Sequence, residues 1–157
     1  MLARVEEQNP PTDLSAIKIL EQKHSIRLPE SYKNFLIRTN GGRPEPSLFP
    51  ISGLENNPYG RIHFLYGIDA DHRTYNLDAV LSDLPASVPK GIIPIGCTGY
   101  EDTQIILDQR NGSAAVKYFD TIPFWGNNIW NESFLYPVAA NFAALLASLK
   151  TDEEVGF

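Results

Sequence analysis

Apolar residues recur at helical spacing in two segments near the beginning of the chain. In the first, Leu14, Ile17 and Leu20 lie three residues apart, which predicts a helix with one apolar stripe. Thr12 or Asp13 can cap its first turn, because a side-chain oxygen at that position accepts a hydrogen bond from a free backbone amide. The first predicted element is therefore a helix that packs one face against the rest of the chain.

A second helix is predicted to begin at Leu28-Pro29, since proline lacks the N–H that the first helical position leaves unused. Its inner face follows the spacing i, i+3, i+4, i+7, at Tyr32, Phe35, Leu36 and Thr39. We expect the helix to end at Asn40-Gly41-Gly42, where glycine takes the left-handed conformation that a β-carbon disfavours.

Four segments in the middle of the chain have the alternation or the short apolar runs that are typical of β-strands. They are Arg61–Tyr66, Gly91–Gly96, Thr103–Asp108 and Ala114–Phe119. The pair Asn111-Gly112 is a strong turn signal, so the last of these strands is expected to pair with the one before it. Residues 43–60 contain four prolines and are predicted to form a long loop.

The remaining segments complete the order of elements. A short helix is predicted from Leu77 to Leu84, and it ends before Pro85. Residues 121–136 are rich in aromatic residues and asparagine, and their pattern predicts no element. The last helix is predicted over residues 137–150, with an apolar stripe at Val138, Phe142, Leu145, Leu146 and Leu149.

The order of elements indicates the α+β class with a mainly antiparallel sheet. Two helices come first, strands in hairpin relation follow, and a helix closes the chain, while alternating βαβ units are absent. At 157 residues, the chain is expected to form one domain over residues 12–150. Residues 1–11 are expected to be a flexible lead-in, and residues 151–157 an acidic tail.

The charge balance bears on the choice of partner. The chain has 13 basic and 19 acidic residues, for a net charge of −6. Nucleic-acid affinity depends largely on Lys and Arg contacts to phosphates, so a nucleic-acid partner is not expected. A negative field attracts a cationic protein and speeds its encounter. The same charge could equally serve only to keep the protein in solution.

The start of the chain and its cysteine content indicate a compartment. The first residues lack the apolar stretch of a signal peptide and carry Glu6 and Glu7 instead. No run approaches the 18 apolar residues of a membrane span, and the single cysteine, Cys97, cannot form an internal disulfide. We therefore expect a cytoplasmic protein that does not bind membranes.

Catalytic motifs are sparse. The phosphate-binding loop, the dinucleotide fingerprint and the serine nucleophile elbow are all absent from the sequence. Cys97 would need a base among three histidines to act as a nucleophile, and a lone cysteine beside an apolar run is more often a buried small hydrophobe. The sequence therefore predicts a non-enzymatic protein without a cofactor.

One segment has the spacing of a metal site. Asp69, Asp71 and His72 offer oxygen and imidazole ligands close together, and His63 could be added as a further ligand. Aspartate is also favoured in polar turns, where it forms local hydrogen bonds. The turn is the preferred interpretation, so no metal is predicted.

The remaining candidates suit recognition of another protein. Large aromatic residues in loops are typical anchors of interfaces, and neighbouring carboxylates can form an acidic rim. The candidate partner-binding residues are Glu55, Tyr59, Asp69, Asp71, Tyr100, Glu101, Asp102, Trp125 and Trp130. In the alternative interpretation, Trp125 and Trp130 fill the edge of the core and the carboxylates are simply solvated.

Three segments, in this order, resemble the SUKH superfamily, which includes the yeast Smi/Knr regulators and many bacterial immunity proteins. The strongest is the segment from Leu28 to Leu36 that runs into Asn40-Gly-Gly-Arg-Pro44. The segments 93–96, 104–108 and 116–120 are similar to the central hairpin of the family, and residues 140–149 to its closing helix. Residues 97–102 depart from the short glycine and acidic turn that members often have.

This resemblance implies an α+β fold with a curved sheet flanked by helices. It also implies a non-enzymatic role, most often the neutralisation of a toxin, and many such toxins are nucleases with basic grooves. The alternative within the family is a regulatory scaffold that binds a housekeeping protein. A metal-dependent enzyme built on Asp69, Asp71 and His72 is the third hypothesis.

Overall fold

Nine strands and six α-helices form in the residues that the computed structural model describes, which are 4–54, 56, 58–70, 75–99 and 103–157. The helices are α1 (Leu14–His24), α2 (Glu30–Thr39), α3 (Leu77–Ser82), α4 (Ile122–Trp125), α5 (Phe142–Ser148) and α6 (Asp152–Val155). The strands are β1 (Arg4–Glu6), β2 (Arg43–Glu45), β3 (Leu48–Pro50), β4 (Tyr59–Arg61), β5 (Phe64–Leu65), β6 (Ile92–Cys97), β7 (Gln104–Asp108), β8 (Ala115–Phe119) and β9 (Leu135–Ala139). None of the helices in these residues is long and apolar enough to cross a membrane.

The first two helices form where the apolar stripes predict them. The Asp13 side chain accepts a hydrogen bond from the Ala16 amide at 2.9 Å and so caps α1. Pro29 is the N-cap of α2 and not its first helical residue. Asn40, with φ 49° and ψ 54°, takes the left-handed conformation that ends α2, one position earlier than the glycine that the sequence suggests.

The main sheet has five strands in the order β5-β6-β7-β8-β9, and every neighbouring pair is antiparallel. Strands β7 and β8 form the hairpin predicted from Asn111-Gly112, with Ile106 opposite Lys117. Two smaller antiparallel pairs, β1-β2 and β3-β4, lie outside this sheet. The predicted fold class, α+β with a mainly antiparallel sheet, is confirmed.

The two faces of the main sheet bury different clusters, because successive side chains of a strand point to opposite sides. One face, which includes Ile105 and Leu107, packs in the main core with side chains of α1, α2 and α5. The opposite face carries a smaller cluster of Ile92, Ile106, Phe119 and Phe124. The second face is the one that concerns the candidate site.

The buried side chain of Asn40 joins three chain segments at the end of α2. Its Nδ2 donates to the carbonyl oxygens of Pro10 and Ile68, both at 2.7 Å, and its Oδ1 accepts from the Ile68 amide at 2.8 Å. The following glycines lie against backbone: a β-carbon on Gly41 would come within 2.7 Å of the Leu65 carbonyl oxygen, and one on Gly42 within 2.5 Å of that of Glu6. The predicted helix stop is therefore also a tertiary junction.

The predicted loop over residues 43–60 is wrong, because β2, β3 and most of β4 form within it. These strands have three residues each, too few to show a periodic pattern, and prolines keep them short by removing ladder donors. The predicted strand Arg61–Tyr66 is interrupted at Ile62 and His63. The Ile62 amide donates to Ser47 and the His63 amide to Cys97, so the chain passes here from one sheet to another.

The two ends of the domain also differ from expectation. The closing helix begins at Phe142 and not at residue 137, because the Asn141 side chain caps it through the Ala144 amide and residues 135–139 pair with β8. Part of the expected flexible lead-in, residues 4–6, pairs with β2 as β1. The expected tail contains α6, which starts with a capping box between Thr151 and Glu154.

Candidate functional site

A cavity of about 500 Å³ lies at the Phe119 end of the second sheet face. The strands contribute Cys97, Gln104 and Phe119, and α3 together with the residues after it contributes Val80, Asp83, Leu84, Pro85 and Val88. The remaining wall consists of His63, Tyr66, Tyr75, Gly99, Thr121, Phe124 and Trp125. Its size is within the range of sites that bind drug-sized ligands.

Buried aromatic rings form part of the cavity wall, and an exposed indole lies beside them. Phe119 and Phe124 are each 1% exposed, and their ring centroids are 5.5 Å apart. Trp125 is 52% exposed, and its ring lies 5.7 Å from that of Phe124. The side chain of Trp125 therefore joins the apolar cluster to solvent at this cavity.

Trp125 belongs to a short stretch with unusual apolar exposure. Ile122 is 42% exposed and Ile129 is 63% exposed. Together with Trp125, they are three of the seven large apolar side chains that are exposed among the described residues. We refer to residues 121–130 as the α4 segment. Exposed apolar patches on small proteins are often sites of interaction.

Hydrogen bonds fix both ends of the α4 segment. At its start, the Trp125 amide donates to the Thr121 carbonyl at 2.9 Å, and the Ile122 amide donates to the Asp120 carboxylate at 3.2 Å. After α4, the Asn128 amide donates to the Phe124 carbonyl at 2.8 Å. The exposed side chains are thus presented on an ordered turn.

Trp130 occupies a different environment from Trp125. It is half-buried, and its ring packs edge-on against Phe119 with centroids 5.2 Å apart. The guanidinium of Arg110 lies over the Trp130 ring, 6.0 Å from its centroid. Trp130 therefore packs at the edge of the smaller cluster, while Trp125 faces solvent.

A network of charged side chains lies on the same sheet face. The carboxylate of Asp108, only 3% exposed, accepts hydrogen bonds from Arg110 Nη2 at 2.9 Å and from Lys117 Nζ at 2.7 Å. Arg110, and next Lys117, hold the pKa of Asp108 well below its usual range. Arg110 also binds Glu132, with Nη2 3.0 Å from Oε2, and this contact lowers the pKa of the Glu132 carboxyl. The network ties the residues that follow the α4 segment to the end of β7.

The structure separates the predicted partner-binding residues. Trp125 lines the cavity, and Trp130 adjoins it through Phe119. Tyr59 lies in β4, with its ring 6.3 Å from that of Phe157, and Asp69 is exposed in a left-handed turn with φ 54°; neither lines the cavity. Glu55, Asp71, Tyr100, Glu101 and Asp102 lie outside the described residues.

Sequence reasoning did not identify Ile122, Ile129 or Asp83 as candidates. Ile122 and Ile129 belong to the region for which no element is predicted, because α4 has only four residues and shows no helical period. Asp83 ends α3, which is predicted for its apolar stripe alone. What distinguishes Ile122 and Ile129 is the exposure of their large side chains near a proline-containing turn. Exposure of this kind can be read from the structure but not from the sequence.

The metal hypothesis gains no support from the side chains that the structure describes. Among these residues, no three His, Cys, Asp or Glu side chains are grouped so as to hold an ion. Asp71 and His72, two of the three residues of the proposed site, lie outside the described part of the chain.

A comparison with models of known protein families matches most of the chain. The model of the family described as SMI1 / KNR4 family (SUKH-1) matches residues 11–148, which include both sheet faces and the α4 segment. No curated protein matches the chain.

Proposed function

The chain belongs to the SMI1/KNR4 family (SUKH-1), and on this basis we propose that it is a non-catalytic protein-binding domain that neutralises a toxin. The partner docks on the cavity and on the α4 segment beside it. The observation that carries this proposal is the 52% exposure of Trp125 on an ordered turn at the cavity.

The energetics favour this surface as an interface. Fully burying a large apolar side chain contributes about 1.5 to 3 kcal/mol, and tryptophan is among the commonest residues that cost more than 2 kcal/mol when truncated at interfaces. Ile122 and Ile129 add apolar area on the same stretch of chain. A partner that covers all three side chains would remove from water three of the seven large exposed apolar residues in the described part of the chain.

Pre-organisation of the α4 segment supports the same conclusion. The bonds to Thr121 and Asp120 before the exposed turn, and the Arg110–Glu132 contact after it, are present without a partner. Ordering a flexible loop on binding costs affinity, and a loop that is already ordered avoids that cost. The net charge of −6 would also speed the approach of a cationic toxin.

The test begins with capture of the tagged full chain from its native cells. We expect one protein whose isolated domain stops growth when expressed alone, and we expect co-expression of the chain to restore growth. Trp125→Ala should abolish this protection. Ile19→Ala is the matched control, since Ile19 is 66% exposed on α1, away from the cavity lining.

Two outcomes would contradict the proposal. Capture of housekeeping proteins that are not toxic would point to a regulatory scaffold. Protection that survives Trp125→Ala together with Ile122→Ser and Ile129→Ser would show that the toxin binds another surface.

A further inference from the structure

The chain contains two Asn-Gly pairs, Asn40-Gly41 and Asn111-Gly112. An asparagine before a glycine can lose its side-chain amide, because the backbone nitrogen of the next residue can attack the side-chain carbonyl carbon. Glycine favours this attack, since it has no β-carbon to hinder the approach and its backbone turns freely. The two pairs are chemically alike, so the fold decides which of them reacts.

The fold holds the first pair in place. Asn40 is 1% exposed, and its side chain forms three hydrogen bonds to the backbone of Pro10 and Ile68, at 2.7 to 2.8 Å. A β-carbon on Gly41 would lie 2.7 Å from the Leu65 carbonyl oxygen, so the backbone after Asn40 has no room to move. Reaction at Asn40 therefore requires the junction at the end of α2 to open.

The second pair has the opposite environment. Asn111, Gly112 and Ser113 are all exposed in the turn between β7 and β8. No heavy atom lies within 4 Å of the position that a β-carbon on Gly112 would take. The Gly112 amide donates to the Gln109 carbonyl at 3.3 Å, a long hydrogen bond within the turn. The attacking nitrogen can thus reach the Asn111 side chain without leaving a packed contact.

We infer that Asn111 is a site of spontaneous deamidation in the folded protein and that Asn40 is not. The Gly112 nitrogen loses its proton to solvent and bonds to Cγ of Asn111, while the side-chain nitrogen takes up a proton and leaves as ammonia. Water then opens the resulting succinimide ring at either carbonyl, which leaves aspartate or isoaspartate at position 111. The net reaction consumes one water and releases one ammonia, with no oxidation or reduction. This inference is independent of the proposed function.

The product alters the turn beside the charged network. Each event adds one negative charge one residue after Arg110, whose guanidinium binds Asp108 and Glu132. Isoaspartate also adds a methylene group to the main chain between β7 and β8, because the chain then continues through the former side-chain carbonyl. The modified hairpin therefore differs from the original in charge and in the length of its turn.

Peptide mapping of the folded full chain tests this inference. The protein is incubated at pH 8 and then cut with a protease specific for lysine, so that peptides 34–90 and 91–117 carry one Asn-Gly pair each. Mass spectrometry detects the replacement of NH₂ by OH and locates it by fragmentation. A sample digested without incubation corrects for reaction during the digestion. We expect deamidation at Asn111 to be more than about tenfold faster than at Asn40, which reacts only when the junction opens.

Two controls separate the fold from the sequence. In urea that unfolds the chain, the two sites should react at similar rates, because both are then exposed Asn-Gly pairs. Gly112→Ala should slow the reaction at Asn111 by more than about tenfold, since the new β-carbon hinders the attacking nitrogen. The turn has room for this β-carbon, and circular dichroism verifies that the variant folds. The rate at Asn111 should also rise severalfold from pH 7 to pH 8, because the attacking nitrogen must lose its proton.

Three results would overturn the inference. The first is an equal rate at Asn111 and Asn40 in the folded chain. The second is a rate at Asn111 that rises more than about tenfold when the chain unfolds in urea, which would show that the turn protects Asn111 as well. The third is a rate that Gly112→Ala leaves unchanged, which would show direct hydrolysis of the side-chain amide without a succinimide.

Discussion

Replacing Asp108 by asparagine tests whether the charged network on the second sheet face stabilises the fold. The change keeps the shape of the side chain but removes the charge that Arg110 and Lys117 surround. Two cationic groups would then lie beside a neutral amide that cannot accept all of their hydrogen bonds. Asp108 is 3% exposed, so water cannot replace the lost carboxylate at that position.

The expected loss follows from the exposure of the three side chains. Removing one partner of a fully buried ion pair costs about 3 to 5 kcal/mol. Arg110 and Lys117 keep 25% and 26% of their side-chain area exposed, and water compensates them in part. We therefore expect the free energy of unfolding at pH 7 to fall by about 2 kcal/mol, which lowers Tm by roughly 4 to 8 °C for a chain of this size.

The pH dependence gives a second readout. The pKa of Asp108 is lowered in the folded state, so its carboxylate contributes stability above the unfolded pKa of about 3.9, and that contribution is lost as pH falls towards the folded pKa. The difference in unfolding free energy between wild type and Asp108→Asn should be constant from pH 7 to pH 5. It should begin to shrink near pH 4. Urea unfolding followed by circular dichroism measures both quantities.

Glu7→Gln is the control for this experiment, because it breaks an exposed ion pair. Glu7 and Arg43 keep 53% and 36% of their side-chain area in solvent, so the change should cost much less than Asp108→Asn. The reasoning is refuted if Asp108→Asn costs no more than Glu7→Gln at pH 7. It is also refuted if the difference from wild type stays constant down to pH 3.

Substitutions at three further positions test other parts of the structure by urea unfolding. Phe124→Ala, at a position 1% exposed, should lower the free energy of unfolding by about 3 to 5 kcal/mol; a loss below 1 kcal/mol would contradict its placement in the smaller cluster. Asn40→Ala should lower the free energy of unfolding by about 1 kcal/mol more than Asn40→Gly does. Both variants lose the side-chain hydrogen bonds, but only alanine disfavours the left-handed backbone conformation of this position. Equal losses of unfolding free energy in the two variants would argue against that conformation. Gly60→Ala should lower the free energy of unfolding by about 1 to 3 kcal/mol, because the new β-carbon would come within 2.4 Å of the Phe49 ring. An unchanged stability would show that the Phe49 ring can move aside without cost.

The elements that could be predicted from the sequence are those whose own side chains specify them. Helices α1 and α2 carry apolar stripes and caps, and β7 and β8 carry apolar runs joined by Asn111-Gly112. Strand β2 forms because β1, near the start of the chain, offers it hydrogen-bond partners, and a local window of sequence contains no information on such a distant partner. Strands β3 and β4 pair with each other, but at three residues each they are too short to show an alternating pattern.

For the candidate site, the sequence indicates the types of residue involved but not which of them are exposed. The sequence singles out large aromatic residues in loops, but Trp125 and Trp130 look equivalent in it. Their different exposure arises because Phe119 and Arg110, both distant in sequence, cover one indole and leave the other in solvent. Residue type alone groups Tyr59 with these two tryptophans, although the strand of Tyr59 belongs to the separate β3-β4 pair.

The junction at Asn40 determines which parts of the chain must open together. Its side-chain bonds to Pro10 and Ile68 span 30 and 28 residues, in opposite directions along the chain. The Ile68 amide, bonded to Asn40, can therefore exchange its hydrogen with solvent only when α2 separates from the segment that follows β5. The Trp125 amide depends on a single helical turn and exchanges through local opening. We therefore expect hydrogen exchange to divide the protein into a slow region around the end of α2 and a fast region at the α4 segment.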